Sequence, residues 1–320
     1  MKVHYISDKS NLDSLHTIKN PILTIGTFDG VHLGHQKIIK KLNEVAQTKN
    51  GESVLFTFFP HPRHVLSNNF GGNDDLKMLQ TQEEKIEKLE RMGLDHLIVF
   101  PFTLAFSNIK AEDFVKDFLV HKLHVNTIIV GYDHQFGKNR EGSLEHLMKL
   151  SEIYPFEVIE ISAHEIDEVN VSSTKIRKAL KNGDIATANA YLNEAFEISG
   201  KVIKGRQLGR TIGFPTANIE IQDSHKLVPA FGVYAVKVKL ENGQVHFGMM
   251  NIGVNPTVTD ENKIHCEVAI LDFSADIYET KISVYLLKRI RDEKKFNGLE
   301  ALKTQIQADE REIRSFLLPS

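Results

Sequence analysis

Along roughly the first 185 residues, short apolar runs alternate with stretches whose apolar positions recur at helical spacing. Ile22-Leu23-Thr24-Ile25 predicts a buried strand, and the residues after Gly34 predict a helix with Ile38, Ile39, Leu42, Val45 and Ala46 on one face. Val54 to Phe59 is the next predicted strand. Thr81-Gln82-Glu83-Glu84 has the spacing of a capping box, in which a hydroxyl and a carboxylate each satisfy a free backbone N–H. It opens a helix with Ile86, Leu89 and Met92 on its apolar face, ending near Gly93. Further strands are predicted at Leu97–Phe100, Ile128–Val130 and Val158–Ile161. Strands this apolar, separated by helices, predict a doubly wound parallel sheet covered on both faces, with ligands at the carboxyl ends of the strands.

After about residue 195 strand patterns dominate: Ile198–Ile203, Ala217–Ile221, Val233–Leu240, Val245–Met250, Ile264–Leu271 and Ile282–Leu287. Several alternate apolar and polar positions, and turn residues such as Glu241-Asn242-Gly243 separate them. Six mostly antiparallel strands predict a small closed β-barrel, since closure removes exposed edges. A final amphipathic helix is expected from about Leu299 to Phe316. The junction falls in a helical stretch, Ile176–Leu192, so two domains are expected, 1–187 and 188–320.

Composition changes this picture little. With 320 residues the chain can bury two ordinary cores, and 41% apolar with 25% charged residues is a normal globular balance. A net charge of −3 gives no electrostatic reason to expect nucleic acid or an anionic membrane as partner. The single cysteine, Cys266, excludes an intrachain disulfide and a cysteine-based zinc site. Met1-Lys2-Val3-His4 lacks a signal-peptide core, and no apolar run approaches the ~20 residues of a membrane span, so a cytoplasmic location is expected.

Candidate chemistry sits at two places in the first half. Gly26-Thr27-Phe28-Asp29-Gly30-Val31-His32-Leu33-Gly34-His35 joins the first strand to the first helix. Its glycines allow a tight turn, and the free N–H groups of a helix start suit phosphate. His32 and His35, three apart, can share one side of that turn and stabilise the charge of a departing pyrophosphate. Taken alone, two such histidines read more readily as surface residues in a chain with 15, and a zinc reading lacks a third ligand. Val171-Ser172-Ser173-Thr174-Lys175-Ile176-Arg177 is the second place: hydroxyls at a helix start and a cation one turn on.

In the second half, Lys204-Gly205-Arg206-Gln207-Leu208-Gly209-Arg210-Thr211-Ile212-Gly213-Phe214-Pro215-Thr216-Ala217-Asn218 combines glycines and cations that could wrap phosphates. It is not a Walker A loop. Thr216 and Asn218, two apart, face one side of an extended segment and offer two hard oxygen ligands for Mg²⁺.

Gly26–His35, Phe59-Pro60-His61-Pro62, the run Val130–Gly137 with Arg140 and Gly142, and Ser172–Arg177 together resemble the HxGH nucleotidyltransferases. They resemble more closely the FMN adenylyltransferase half of prokaryotic bifunctional riboflavin kinase/FAD synthetases. The glycine-rich run to Asn218 resembles the riboflavin kinase half, with Gly232-Val233-Tyr234, Asn251-Ile252-Gly253, His265-Cys266-Glu267-Val268, Tyr278 and Arg289–Phe296. The resemblance implies two activities, riboflavin to FMN and FMN to FAD, with ATP and Mg²⁺. It gives Gly26, Phe28, Asp29, His32, His35, Ser173, Thr174 and Arg177 to ATP in the first half, with His32 and His35 catalytic. It places Asp133, Phe136 and Arg140 in a flavin or nucleotide loop. It gives Gly205, Gly209, Arg210, Gly213, Pro215, Thr216 and Asn218 to Mg-ATP in the second half, Glu267 as catalytic base and Arg291 near flavin. It implies small-molecule partners, with flavin-requiring apoproteins as acceptors of FAD. His134 departs from the family's common aromatic residue after Asp133, which implies altered flavin contacts or a different preferred redox state. His61 reads as part of a strand stop and carries no catalytic role. A chain with one active half, or a flavin-binding regulator, are the alternative readings.

Overall fold

The computed structural model describes residues 1–7, 15–70, 76–132, 134–162, 171–205, 209, 213–254 and 264–317. They fall into two compact units, Met1–Leu76 with Lys85–Ser172, and Lys77–Glu84 with Ser173–Ser320.

In the first unit six strands form one parallel sheet: β1 (Lys2–Tyr5), β2 (Ile22–Ile25), β3 (Ser53–Phe59), β4 (His96–Pro101), β5 (Thr127–Gly131) and β6 (Glu157–Ile161). Their order is β1-β4-β3-β2-β5-β6. From β2 the chain winds outward through β3 to β4, then returns to place β5 on the other side of β2. The direction of winding therefore reverses between β2 and β5, and a crevice opens beyond their carboxyl ends. Helices α1 (Leu33–Thr48), α2 (Pro62–Phe70), α3 (Gln82–Arg91), α4 (Leu104–Ser107), α5 (Ala111–Phe114) and α6 (Leu144–Ser151) fill the connections. Two apolar clusters form, one with Ile22, Ile39, Leu42, Leu89 and Leu97, the other rich in phenylalanine around Phe56, Phe100, Phe114 and Phe118. β1, short and half-exposed, went unpredicted because four residues with one valine carry no period.

In the second unit β7 (Phe196–Ile203), β8 (Ala217–Glu220), β9 (Gly232–Leu240), β10 (Val245–Val254), β11 (Ile264–Ile270) and β12 (Lys281–Arg291) close into an antiparallel barrel in the order β10-β11-β8-β7-β12-β9. Alternation sorts the side chains: Tyr234, Val236, Val238, Met250, Cys266 and Val268 are buried on one face. On the other face Val233, Ala235 and Met249 are covered by Ile313 of the last helix, α9 (Leu299–Leu317). The predicted Ile176–Leu192 stretch is two helices, α7 (Ser173–Lys181) and α8 (Ile185–Leu192), broken at Gly183 with φ +75° and recapped by Asp184. The capping box at Thr81 forms as predicted, with Glu84 N to Thr81 Oγ1 at 3.2 Å and Thr81 N to Glu84 Oε2 at 2.9 Å. Glu84 also accepts from Ser199 Oγ at 2.8 Å and from Lys226 Nζ at 2.5 Å, a buried network inside the second unit. Thus α3 starts in one unit and ends in the other.

Candidate active sites

The chain leaves β2 through Gly26, whose N–H is held by the Phe56 carbonyl at 3.0 Å. A Cβ on Gly26 would lie 2.8 Å from the Phe28 ring, so a side chain there would have to displace that ring. Phe28, Gly30 and Val31 then take left-handed φ values of 47°, 84° and 37°. For a β-branched residue such as Val31 this is strained, and strain of this kind persists only where surrounding contacts fix it. The turn delivers His32 as N-cap of α1 and His35 in its first turn. The two rings stack at 3.7 Å between centroids, and Phe28 stacks on His35 at 4.4 Å.

Burial, then the positive charge of Lys88, holds the His32 imidazole down to about 4. His35 is pushed well below its ordinary value by burial, with His32, Lys85 and Lys88 adding to it. Both rings are therefore neutral near pH 7, each with one N–H to donate. Nδ1 of each is buried with no hydrogen-bond partner among the described residues. α1 carries no acidic residue in its first turn and no side-chain cap, so its N–H groups and dipole stay available to an anion. Asp29 is buried in the same turn.

Elsewhere in this unit Phe136 packs into the phenylalanine cluster, 6.1 Å from Phe114, and His134 stacks on it at 5.8 Å. Arg140 is exposed with a left-handed φ of 60°. Asp133 lies outside the described residues. Ser173, Thr174 and Arg177 stand in the first two turns of α7, which clusters with the second unit, where Arg177 Nε donates to the Lys77 carbonyl at 2.7 Å.

The second unit carries a cavity of about 290 Å³ between the outer face of the barrel and α9. At its polar end the ladder sets Asn218 directly opposite Glu267, and Glu267 opposite Asn251. Residues opposite one another share a face, so the amide, carboxylate and amide form one row across β8, β11 and β10. Thr216 Oγ1 lies 3.5 Å from Glu267 Oε2. Gly205 packs on Asn218: a Cβ there would meet its Nδ2 at 2.2 Å. Gly209 packs on Phe214 and Thr216 in the same way. Gly213 has a φ of +87°, Pro215 precedes Thr216, and Arg210 lies outside the described residues. Val233, Met249, Leu299, Leu302, Ile306 and Phe296 give the cavity its apolar lining. Arg291 also lines the cavity, but its guanidinium is held by Asp309.

Sequence reasoning missed Lys85 and Lys88, which reach Thr27 O at 2.9 Å and Gly30 O at 3.3 Å. Lysines on an amphipathic helix read as solvated by default, although these two flank the apolar line through Leu89 and Met92. Asn251 was read only as part of the kinase resemblance, with no role of its own, and Asp309 was missed because one carboxylate in a helix carries no period of its own.

Comparison with known proteins covers both halves of the chain. The FAD synthetase family model matches residues 15–175, and the riboflavin kinase family model matches 192–317. The bifunctional riboflavin kinase/FMN adenylyltransferase of Listeria monocytogenes is 39% identical over 99% of this chain and 98% of its own. Those of Bacillus subtilis and Escherichia coli are 36% and 37% identical, covering 99% and 92% of this chain and 98% and 92% of theirs. A crystal structure from Streptococcus pneumoniae, described as a macrolide-efflux protein, superposes with a TM-score of 0.84 at 30% identity over 98% of this chain and 99% of that one. Among the described residues here, no helix is long and apolar enough to cross a membrane. With both family matches in series and relatives alike from end to end, the chain belongs to the bifunctional riboflavin kinase/FMN adenylyltransferase family.

Proposed function

We propose that this chain makes FAD in two ATP-consuming steps, riboflavin + ATP to FMN + ADP, then FMN + ATP to FAD + pyrophosphate. The observation that carries this reading is the presence in one chain of two separately built sites suited to phosphate chemistry. One is the stacked histidine pair at the start of α1, the other the Asn218–Glu267–Asn251 row with Thr216 beside it.

In the kinase step the ribityl 5′-hydroxyl oxygen bonds to the γ-phosphorus, the bond to the β-phosphate bridging oxygen breaks, and Glu267 receives the hydroxyl proton. The flavin ring packs against the apolar lining of the cavity. Gly205, Gly209, Arg210, Gly213 and Pro215 wrap the nucleotide. Thr216 and Asn218 fit Mg²⁺ by donor type, since hydroxyl and amide oxygens are hard ligands. Among the described residues no cluster of three His, Cys, Asp or Glu could hold a metal, which suits an ion shared between few protein oxygens and substrate phosphates. Bound there, Mg²⁺ would neutralise charge on the transferring phosphate.

In the adenylyl step an FMN phosphate oxygen bonds to the α-phosphorus and pyrophosphate leaves. His32 and His35 donate hydrogen bonds to the charge that develops, and Gly26, Phe28 and Asp29 shape the turn that presents them. The triphosphate role of Ser173, Thr174 and Arg177, and the ligand role of Asp133, Phe136 and Arg140, rest on the sequence motifs. We assign the adenylyl step to residues 1–187 and the kinase step to 188–320. FAD is a cofactor, so flavin-requiring apoproteins are the acceptors its chemistry implies.

A chromatographic time course with riboflavin, ATP and Mg²⁺, in air and with reduced flavin, tests the reading. FMN appearing first and FAD second supports it; neither product overturns it.

A further inference from the structure

Lys85 and Lys88 lie three apart on one side of α3, and each is only 4% exposed. Burying an ammonium is costly unless its charge is paired or used. Lys85 Nζ donates to the Thr27 carbonyl at 2.9 Å, and Lys88 Nζ to the Gly30 carbonyl at 3.3 Å. These carbonyls bracket Phe28 and Asp29 at the start of the run of left-handed residues that ends at Val31. Two ammoniums gripping either side of a strained turn supply the outside contacts that such backbone requires. Thr57 Oγ1 adds a longer contact to the Thr27 carbonyl, at 3.4 Å.

We propose that Lys85 is a positioning residue for adenylyl transfer: it clamps the Thr27–Val31 turn and stands as a fixed positive charge behind the His32–His35 pair, with Lys88 as a second, weaker clamp. The proposal rests on the adenylyl-transfer reading above and extends it to a residue outside every motif of the turn.

The arrangement divides the labour. Charge resides on the lysines, whose carbonyl contacts fix their place, while the histidines remain neutral and give directional hydrogen bonds. Lys88 of α3 acts on both rings, Lys85 and His32 act on His35, and Asp29 of the turn acts on Lys85. Burial lowers the Lys85 ammonium and Asp29 works against that. All the lysine influence on the histidines opposes their protonation.

The test uses the full-length chain with Lys85→Met, which keeps the apolar stem and removes the charge. Adenylylation of supplied FMN is expected to fall at least ~100-fold in kcat/KM, as misplacement of a catalytic turn does. Riboflavin phosphorylation by the same preparation stays within about twofold, since the Lys85 ammonium bonds to Thr27 in the first unit. The acidic limb of the adenylylation pH profile moves to higher pH, because His35 protonates more readily without the cation. Lys85→Arg, which keeps charge and donor, recovers about tenfold or more over Met, and Lys88→Gln, which keeps a donor, loses less than Lys85→Met. Adenylylation within about threefold of the parent overturns the proposal. So does a loss that Arg does not relieve and that leaves the limb unmoved, which marks a purely structural role. An unsubstituted protein that makes no FAD from FMN overturns the reading of the site and the proposal with it. One that does, beside an unaffected Lys85→Met, overturns the proposal alone.

Discussion

Arg291 donates from Nε and Nη2 to the carboxylate of Asp309 at 2.8–3.0 Å, tying β12 to α9 along the wall of the cavity that holds Glu267. Gln305 adds a donor to the same carboxylate at 2.8 Å, and the Arg291 guanidinium lies 5.7 Å from the Phe296 ring. The sequence resemblance gave Arg291 a place near the flavin. In the structure its fork is already occupied, so its effect on a bound ring passes through the position of α9.

Removing one partner of this pair leaves the other charge buried. Arg291→Met is expected to destabilise the second unit by about 3–5 kcal/mol and to raise KM for riboflavin more than it lowers kcat. Arg291→Met combined with Asp309→Leu should regain most of the stability, because no charge is then stranded. Urea unfolding of the single and double variants checks this; equal destabilisation of both would show that a stranded charge is not the source of the loss.

Glu267 faces an amide on either side and a threonine hydroxyl at 3.5 Å. Glu267→Gln keeps its size and its place in the ladder but cannot accept a proton. FMN formation should fall by about 10²–10⁴, the usual contribution of a general base, while supplied FMN is still converted to FAD. Equal loss of both activities would count against separate sites.

His32→Ala is the mirror experiment. It removes one preorganised donor and one ring of the stack, so FAD formation from FMN should drop by roughly 10²–10³ while FMN formation persists. Unchanged FAD synthesis would remove His32 from the chemistry.

The sheet and the barrel were legible in the sequence because their strands obey a period: Ile22–Ile25 and Val54–Phe59 as apolar runs, Val233–Leu240 as an alternation. The turn at Gly26–His35 was legible as a motif. Its strain was not, since nothing in the letters Phe28 and Val31 indicates a left-handed backbone. Lys85 was invisible for a different reason: its burial depends on what packs over α3, a long-range fact that a helical period does not carry. Arg291 illustrates the opposite limit, where a motif position was seen and its partner, 18 residues on, was not.

Gly205 tests how closely the kinase site is packed. A Cβ there would lie 2.2 Å from Asn218 Nδ2 and 2.6 Å from its Cγ. The obstacle is a side chain that can swing away, so Gly205→Ala should fold with little loss of stability. The displaced amide is the one opposite Glu267, and a shift of about 1 Å in such a group costs up to ~10² in rate. Steady-state kinetics with riboflavin should show the loss, and FMN adenylylation should not. A variant with parental kinase kinetics would mean that Asn218 has room to spare.

Acid should weaken the first unit in a window set by its histidines. His32 is held down to about 4 against an ordinary value of 6.5, so between those pH values the unfolded chain takes up a proton that the folded one refuses. Stability is therefore full above about pH 6.5, declines as pH falls, and stops declining on this account below about 4. The gap corresponds to roughly 3 kcal/mol for His32, and His35 acts in the same direction. Carboxylates that are paired in the fold also lose stability in acid, but mostly below about pH 5. The interval from 6.5 to 5 thus isolates the histidines. His32→Asn, which does not titrate there, should show a flatter fall across that interval. Hydrogen exchange of the α1 amides at pH 6.5, 5.8 and 5.0, referenced to intrinsic rates, reads the difference directly; parallel slopes for parent and variant would mean that the His32 ring is protonated in the fold as readily as in the unfolded chain.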